Sequence, residues 1–417
     1  METLKKKAYI LLRKSEPFTK TDMVYLTKGG FWLVFSQAMS TLFSFVLAVA
    51  FSRLVSKEVY GNYKYILSLG SVLTAFSLTG IASAITQAVV RGYDGALRQG
   101  FKESLRWSFF IIIGSCVAGV YYILSDNATL GISFFIIGSF TPILNSSMLF
   151  LPFLNGKKEF RKIAIYNIWE SVVPATAMLG TLFFTQNIII LVFSYFVSNS
   201  LIAYLLYRRT LSHYKPSNLI DARSLPFGKH VSLLNILGVI GDKIDSLLLF
   251  HFFGGSTLAV YTFATAIPNQ IIGVFKNIGL LVIPRYANRD LESIKHELYR
   301  KMARLAIVLA IMVVLYYFLA PYFFSLFFPQ YIEAVSYSRL YSLIFIITSG
   351  VFHTSVLESK MAVKEKYLFT ISSNTLRIVL MSLLVVPFGI AGIIYAQIIT
   401  KTLMVILAMI LVHKLKD

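Results

Sequence analysis

Charge is scarce in this chain. Only 14% of its 417 residues are Asp, Glu, Lys or Arg, while 57% are apolar and mean hydropathy is +0.71. That leaves too little polar surface to wrap a water-soluble core, which excludes an ordinary soluble domain and points to an integral membrane protein. Cysteine is nearly absent: Cys116 stands alone in an apolar run, so no intramolecular disulfide framework can form. The six histidines form neither an H-x-x-x-H pair nor a cluster with carboxylates, so no metal is expected. No phosphate-binding loop or nucleotide signature occurs, and no cofactor is expected. A net charge of +20 would suit nucleic acid in a soluble protein. In a membrane chain the first question is where the basic residues fall.

What the chain has in abundance is long apolar runs. A span needs roughly 20 mostly apolar residues, and hydropathy gives twelve candidates: 30–51, 63–83, 107–124, 129–151, 163–184, 187–207, 231–251, 258–283, 303–323, 335–357, 367–387 and 389–412. Pro142, Pro152 and Pro174 interrupt the fourth and fifth, which spanning helices tolerate when neighbours satisfy the freed carbonyls. Residues 1–28 are basic, and their one apolar stretch, Ala8 to Leu12, is too short for a signal-peptide core. They read as an uncleaved cytoplasmic arm.

With the N-terminus in the cytoplasm, 31 of the 39 Lys and Arg residues fall on the cytoplasmic side. The external connections hold Arg53, Lys57, Lys64 and Arg339, and Lys243, Lys276, Arg377 and Lys401 lie inside spans. This asymmetry predicts both termini cytoplasmic. It assigns the excess charge to topology and anionic lipid, leaving no reason to expect a nucleic-acid partner. The longest polar connection follows the sixth span and divides the chain into a lobe at 29–209, a cytoplasmic linker at 210–229 and a lobe at 230–417. The two lobes open alike, "YGNYKYILSL" from Tyr60 matching "LAVYTFATAI" from Leu258, with Tyr63 against Tyr261. With six spans each, such a repeat would be parallel.

Seven ionisable groups sit within spans: Glu170, Asp242, Lys243, Asp245, Lys276, Arg377 and Lys401. Each costs roughly 2.5 to 3.5 kcal/mol at a helix centre, so all are expected to face protein or a wet cavity. Helical phase agrees. Asn235, Gly238, Asp242, Asp245 and Leu249 share one face, and Asn269 with Lys276, Asn374 with Arg377 and Gln397 with Lys401 form stripes on other spans. Lys243 lies off the first stripe and is expected to point toward a neighbouring helix. Four cations against three acids bias this set toward anionic cargo, although salt bridges between helices are the plainer alternative. Arg377, Lys401, Lys276 and Lys243 are the candidate cargo contacts, with Arg53 at the outer end of the first span equally suited to anchoring. Asp245, Asp242 and Glu170 are the candidates for carrying a coupling ion, H+ or Na+.

The segment "SRLVSKEVYGNYKYILSL" (Ser52 to Leu69) resembles the R-L-x-x-x-E-x-Y-G-x-Y signature of Wzx-type oligosaccharide flippases, the polysaccharide branch of the MOP exporter superfamily. Further matches are "LNGKKEFRKIAIYN" from Leu154, "IDSLLLFHFFGGSTLAVYTFA" from Ile244, "FFPQYIEAV" from Phe327 and "GIAGIIYAQIIT" from Gly389, in the family's order along nearly the whole chain. One departure is that Ser246 follows Asp245, where relatives often carry a basic residue. The resemblance implies an all-α membrane fold of about twelve helices in two six-helix lobes. It implies alternating access to undecaprenyl-diphosphate-linked oligosaccharide, moved to the periplasmic leaflet of a bacterial inner membrane for O-antigen or capsule assembly. It implies no enzyme, and names a polysaccharide polymerase and a chain-length regulator as candidate partners beside membrane lipids. The alternatives are an ion-coupled drug antiporter of the same fold, and a membrane polymerase or ligase. The latter would need an external loop rich in reactive side chains, whereas Glu58, Asp126 and Glu333 are the only external acids expected.

Overall fold

The computed structural model describes residues 23–415 apart from residue 288, with the side chains of 23–30, 234, 276–281, 284 and 285 also left aside. The arm expected at 1–28 lies outside the described residues up to residue 22, and from Met23 the chain is already helical. Every regular element among the described residues is a helix. In chain order they are α1 (Met23–Leu54), α2 (Lys57–Leu73), α3 (Ile81–Val90), α4 (Ala96–Trp107), α5 (Phe109–Leu124), α6 (Ala128–Ser147), α7 (Phe150–Gly156) and α8 (Phe160–Phe184). There follow α9 (Ile188–Tyr214), α10 (Ser224–Gly241), α11 (Ile244–Ala287), α12 (Leu291–Phe327), α13 (Ala334–Ser342), α14 (Ile344–Ile347), α15 (Val351–Ser359) and α16 (Val363–Lys414).

Local chemistry sets many of the boundaries. Asn127, Asn187 and Asp290 cap α6, α9 and α12 by accepting from the backbone N–H groups of Leu130, Ile189 and Ser293. At the end of α9, Lys215 turns left-handed at φ 43° and Pro216 follows, which stops the helix. Pro142 and Pro174 are absorbed within α6 and α8 without ending either.

Eight helical segments among the described residues are long and apolar enough to cross a membrane, or nine when α2 and α3, bent by 57°, count as one broken span. Two of the segments are too long for a single pass. A straight helix of the 52 residues of α16 would reach about 78 Å, against a hydrocarbon core of about 30 Å. It reverses at Gly389, where φ 55° and ψ −130° suit a residue without a side chain. The return stroke packs so closely that Gly392 lies on the Leu384 carbonyl. The 44 residues of α11 reverse likewise at Gly254, φ 78°. There the Tyr261 hydroxyl reaches the Asp245 carboxylate at 2.5 Å across 16 residues of sequence. With these hairpins the helices are consistent with the twelve spans expected from hydropathy.

The chain divides into two compact units. The first holds α1 up to Ala50 and Leu73–Leu233; the second holds Phe51–Val72 and the chain from Leu234 onward. Residues 51–72, which the sequence division counts with the N-terminal lobe, thus belong with the second unit. The physical reason is close backbone approach and aromatic packing. Gly61 sits against the Gly255 backbone, where any Cβ would collide. Tyr65 stacks on Phe250 at 3.7 Å, and Phe263 packs against both Tyr60 and Tyr331 at 4.9 and 4.0 Å.

The core of the first unit is built on Ile85, Leu97, Phe150, Phe153 and Leu154, all at or near complete burial. Small residues let its helices approach: Gly119 meets the Gly131 carbonyl between α5 and α6, and Ser146 donates to Ser104 between α6 and α4. Arg91 with Asp221 and Lys157 with Asp94, at 2.6 and 2.7 Å, tie its basic connections together. The second unit has a separate core of Tyr286, Leu291, Ile294, Leu298, Val356 and Leu357.

Candidate functional site

Five of the seven charges expected inside the membrane converge within the second unit. A cavity of about 340 Å³ is lined by Lys64, Asp242, Lys243, Asp245, Arg377 and Lys401, together with neutral polar groups. Four helices supply them. α2 brings Lys64, the α10–α11 junction brings Asp242, Lys243 and Asp245, and the two strokes of α16 bring Arg377 and Lys401.

The junction explains an unmet expectation. Helical phase sets Lys243 apart from Asp242 and Asp245 only if one helix runs through all three. Instead α10 ends at Gly241 and α11 starts at Ile244, so Asp242 and Lys243 lie in a turn. The phase is reset there, and Lys243 lines the same cavity as both acids.

Arg377 is positioned by the bare face of α10. Its Nη2 donates to Asp242 Oδ1 at 2.8 Å, and a Cβ on Gly241 would stand 2.6 Å from that same nitrogen. Any larger residue at 241 would displace the guanidinium. The Nε of Arg377 is buried with no hydrogen-bond partner among the described residues, so the fork has a donor in reserve. The Asp242 side chain is 70% exposed, so the pair is an open one and holds the arginine only weakly.

Asp245 is held more firmly. Its Oδ2 accepts from Tyr261, and its Oδ1 accepts from the backbone N–H of Ser246 at 2.6 Å. Gln397 Nε2 donates to the Tyr261 oxygen at 2.7 Å. The Tyr341 hydroxyl stands 2.9 Å from Asn269 Oδ1 and 3.1 Å from Gln397 Oε1, donating to one of them. A chain of neutral polar groups therefore runs from the carboxylate into the protein and fixes its orientation.

Two residues singled out from sequence stand elsewhere. Arg53 is exposed and spends its guanidinium on the Leu326 carbonyl at 2.6 Å, closing the end of α12; it is not among the residues lining the cavity. Glu170 belongs to α8 in the first unit, where its Oε1 is buried with no hydrogen-bond partner among the described residues. The side chain of Lys276 lies outside the described residues.

Sequence reasoning assigned Lys64 to an external connection. It sits one turn before Ser68 inside α2, with its ammonium 5.3 Å from the Tyr60 ring. A signal was present: when Tyr63 is matched to Tyr261 in the repeat, Lys64 falls on Thr262, and both line the cavity. Tyr261 and Tyr341 were also missed as functional groups, being two among 24 tyrosines.

The hairpins and the long apolar helices define a multi-pass helical membrane fold. The fold matches an outward-facing multidrug resistance MATE family transporter of the MOP superfamily at a TM-score of 0.65 and 14% identity, covering 93% of this chain and 94% of that one. It matches the inward closed conformation of the lipid II flippase MurJ at a TM-score of 0.68 and 12% identity, covering 92% and 87%. A third match is a MOP superfamily transporter from Pyrococcus furiosus, whose description reports a binding pocket of reversed polarity, at a TM-score of 0.61 and 12% identity, covering 93% and 94%. No curated protein matches the sequence. Residues 26–289 match the polysaccharide biosynthesis protein family, and the chain belongs to that family.

Proposed function

We propose that the protein is a flippase for undecaprenyl-diphosphate-linked oligosaccharide, carrying repeat units from the cytoplasmic to the periplasmic leaflet of a bacterial inner membrane for O-antigen or capsule assembly. The observation that carries this reading is the cavity of the second unit, where four cations face two carboxylates at membrane depth. A lipid diphosphate must shed water to cross, and fixed cations replace that hydration. A unit charge pair at 4 Å is worth about 4 kcal/mol at an effective dielectric near 20. Arg377 offers a fork to phosphate oxygens, and Lys64, Lys243 and Lys401 act as point charges. Membership of the polysaccharide biosynthesis family and a fold shared with a lipid II flippase support the same cargo class.

In this reading Asp242 is the resting counter-ion of Arg377. A coupling H+ or Na+ that neutralises Asp242 or Asp245 releases the guanidinium to the cargo, which links ion entry to phosphate capture. Glu170 is the corresponding coupling candidate in the first unit. Cytoplasmic termini, a polymerase and a chain-length regulator as neighbours, and alternating access by the two lobes belong to the same proposal. A drug antiporter is the second reading, favoured by the multidrug transporter of the same fold. The surplus of cations over acids in the cavity argues against cationic drugs as cargo.

The test is reconstitution of the purified protein into vesicles with fluorescent undecaprenyl-diphosphate-linked sugar in one leaflet. Accelerated leaflet exchange, lost in Arg377→Ala and in Lys401→Ala but kept in part by Arg377→Lys, supports the assignment. Exchange no faster than in empty vesicles refutes it.

A further inference from the structure

A second cavity, of about 460 Å³, lies wholly within the first unit and has a different chemistry. Its walls are two helical stripes. α8 contributes Lys162, Ile165, Tyr166 and Trp169; α9 contributes Ile202, Leu205, Leu206, Arg209 and His213. Both sets recur at three- and four-residue spacing, so each is one continuous face.

The two stripes run in opposite directions along the chain. Lys162 Nζ stands 2.9 Å from His213 Nε2 and donates to the Tyr214 hydroxyl at 2.7 Å, which puts the start of α8 beside the end of α9. All the basic groups of the groove therefore gather at one end. Ile165, Trp169, Ile202 and Leu205 continue the groove away from it, about 10 Å along α8 between Lys162 and Trp169. Trp169 and Leu205 are 51% and 53% exposed, so the apolar walls are open.

The polar end is a fixed cationic seat. Lys162 lies over the Tyr214 ring at 4.4 Å and keeps only a loose contact with Glu159, at 3.6 Å. Arg209 is exposed and forms no ion pair with any carboxylate among the described residues. Both ends fall in the basic stretches 152–162 and 208–230, which hydropathy and the distribution of basic residues set at the cytoplasmic ends of the spans. An apolar groove with a basic rim between two helices at the leaflet surface fits an anionic lipid, head group on the cations and acyl chain along the wall.

We infer that the groove between α8 and α9 is a binding site for an anionic diacyl phospholipid of the surrounding bilayer, with Arg209 and Lys162 on its phosphate and Trp169 against its acyl chain. The site is separate from the cavity of the second unit and does not depend on the cargo proposed for it.

The probe is dioleoylphosphatidylglycerol, measured against dioleoylphosphatidylcholine, on the full chain by native mass spectrometry from detergent. Phosphatidylglycerol is expected to remain bound in preference. Arg209→Gln should weaken it about fivefold, the loss of roughly one surface cation, while Arg209→Lys restores most of it. Equal retention of both lipids, or no change in Arg209→Gln, overturns the inference. Undecaprenyl phosphate is added in a second arm. If it alone is retained, and in an Arg209-dependent manner, the groove belongs to the cargo lipid and the proposal is also overturned. A readout independent of that variant is fluorescence of Trp169 in a chain carrying Trp32→Phe and Trp107→Phe. Brominated phosphatidylglycerol should quench it more strongly than brominated phosphatidylcholine, and equal quenching counts against the site.

Discussion

The two units handle charge in opposite ways. In the second, six charged side chains from α2, the α10–α11 turn and start of α11, and both strokes of α16 line one cavity. In the first, ion pairs such as Arg91 with Asp221 and Lys157 with Asp94 stay in the loops. Glu170 is the one Asp, Glu, Lys or Arg that hydropathy sets within a first-unit span, and its Oε1 faces no hydrogen-bond donor among the described residues. Similar lengths of apolar helix therefore do different work. The first unit is held by small-residue contacts and an aromatic and aliphatic core, and the second spends packing area on a polar interior. Charge at membrane depth is costly wherever it is not used, which is why the proposed function assigns the cargo to the second unit.

The largest expected effect comes from removing both cations of α16. Arg377→Ala with Lys401→Ala should lower leaflet exchange at least a hundredfold while the protein still inserts and folds, because each charge-assisted hydrogen bond is worth about 1.5 to 3 kcal/mol. Vesicle assays with matched protein amounts measure this. A smaller loss comes from Asp245→Asn, which keeps an acceptor for Tyr261 but removes the charge. Transport should fall about tenfold and lose its dependence on a proton or sodium gradient. Gradient dependence equal to that of the parent protein would take the coupling role away from Asp245.

Lys64→Met tests whether α2 shares in the site. Its loss removes one of four cations and should cost about fivefold in exchange, on the scale of a single desolvated charge. The smallest effect is expected in the first unit: Glu170→Gln should change leaflet exchange measured without an ion gradient by less than about twofold, since it preserves shape and acts only on the response to a gradient. If Glu170→Gln proves more damaging than Asp245→Asn, the contrast between the units is reversed.

Much of this cavity was legible in the sequence, and the limits were physical. Polar stripes on the spans marked Asp242, Asp245, Arg377 and Lys401 as inward-facing, since lipid would reject them. The hairpin partners were not legible, because helical periodicity gives a face and never the neighbour it meets. Lys64 was misplaced because it is the second residue of the apolar run 63–83 and read as its outer edge, whereas α2 already begins at Lys57 and sets it about two turns inside the helix. Lys243 was displaced in phase by the turn between Gly241 and Ile244, which no local signal short of the Gly-Asp-Lys sequence announces. Arg53 lies in the most specific motif of the chain, yet its guanidinium is occupied with the carbonyl of Leu326. That contact joins segments 273 residues apart and cannot be read from spacing.

The most direct test of the central claim is the affinity of the detergent-purified protein for farnesyl diphosphate, with farnesol as the uncharged control, at low and high salt. The cation-lined cavity predicts that farnesyl diphosphate binds and farnesol does not. It predicts that salt weakens the complex, and that Arg377→Gln with Lys401→Gln reduces affinity about a hundredfold. Equal binding of the two lipids, or a double variant with the affinity of the parent protein, would contradict it.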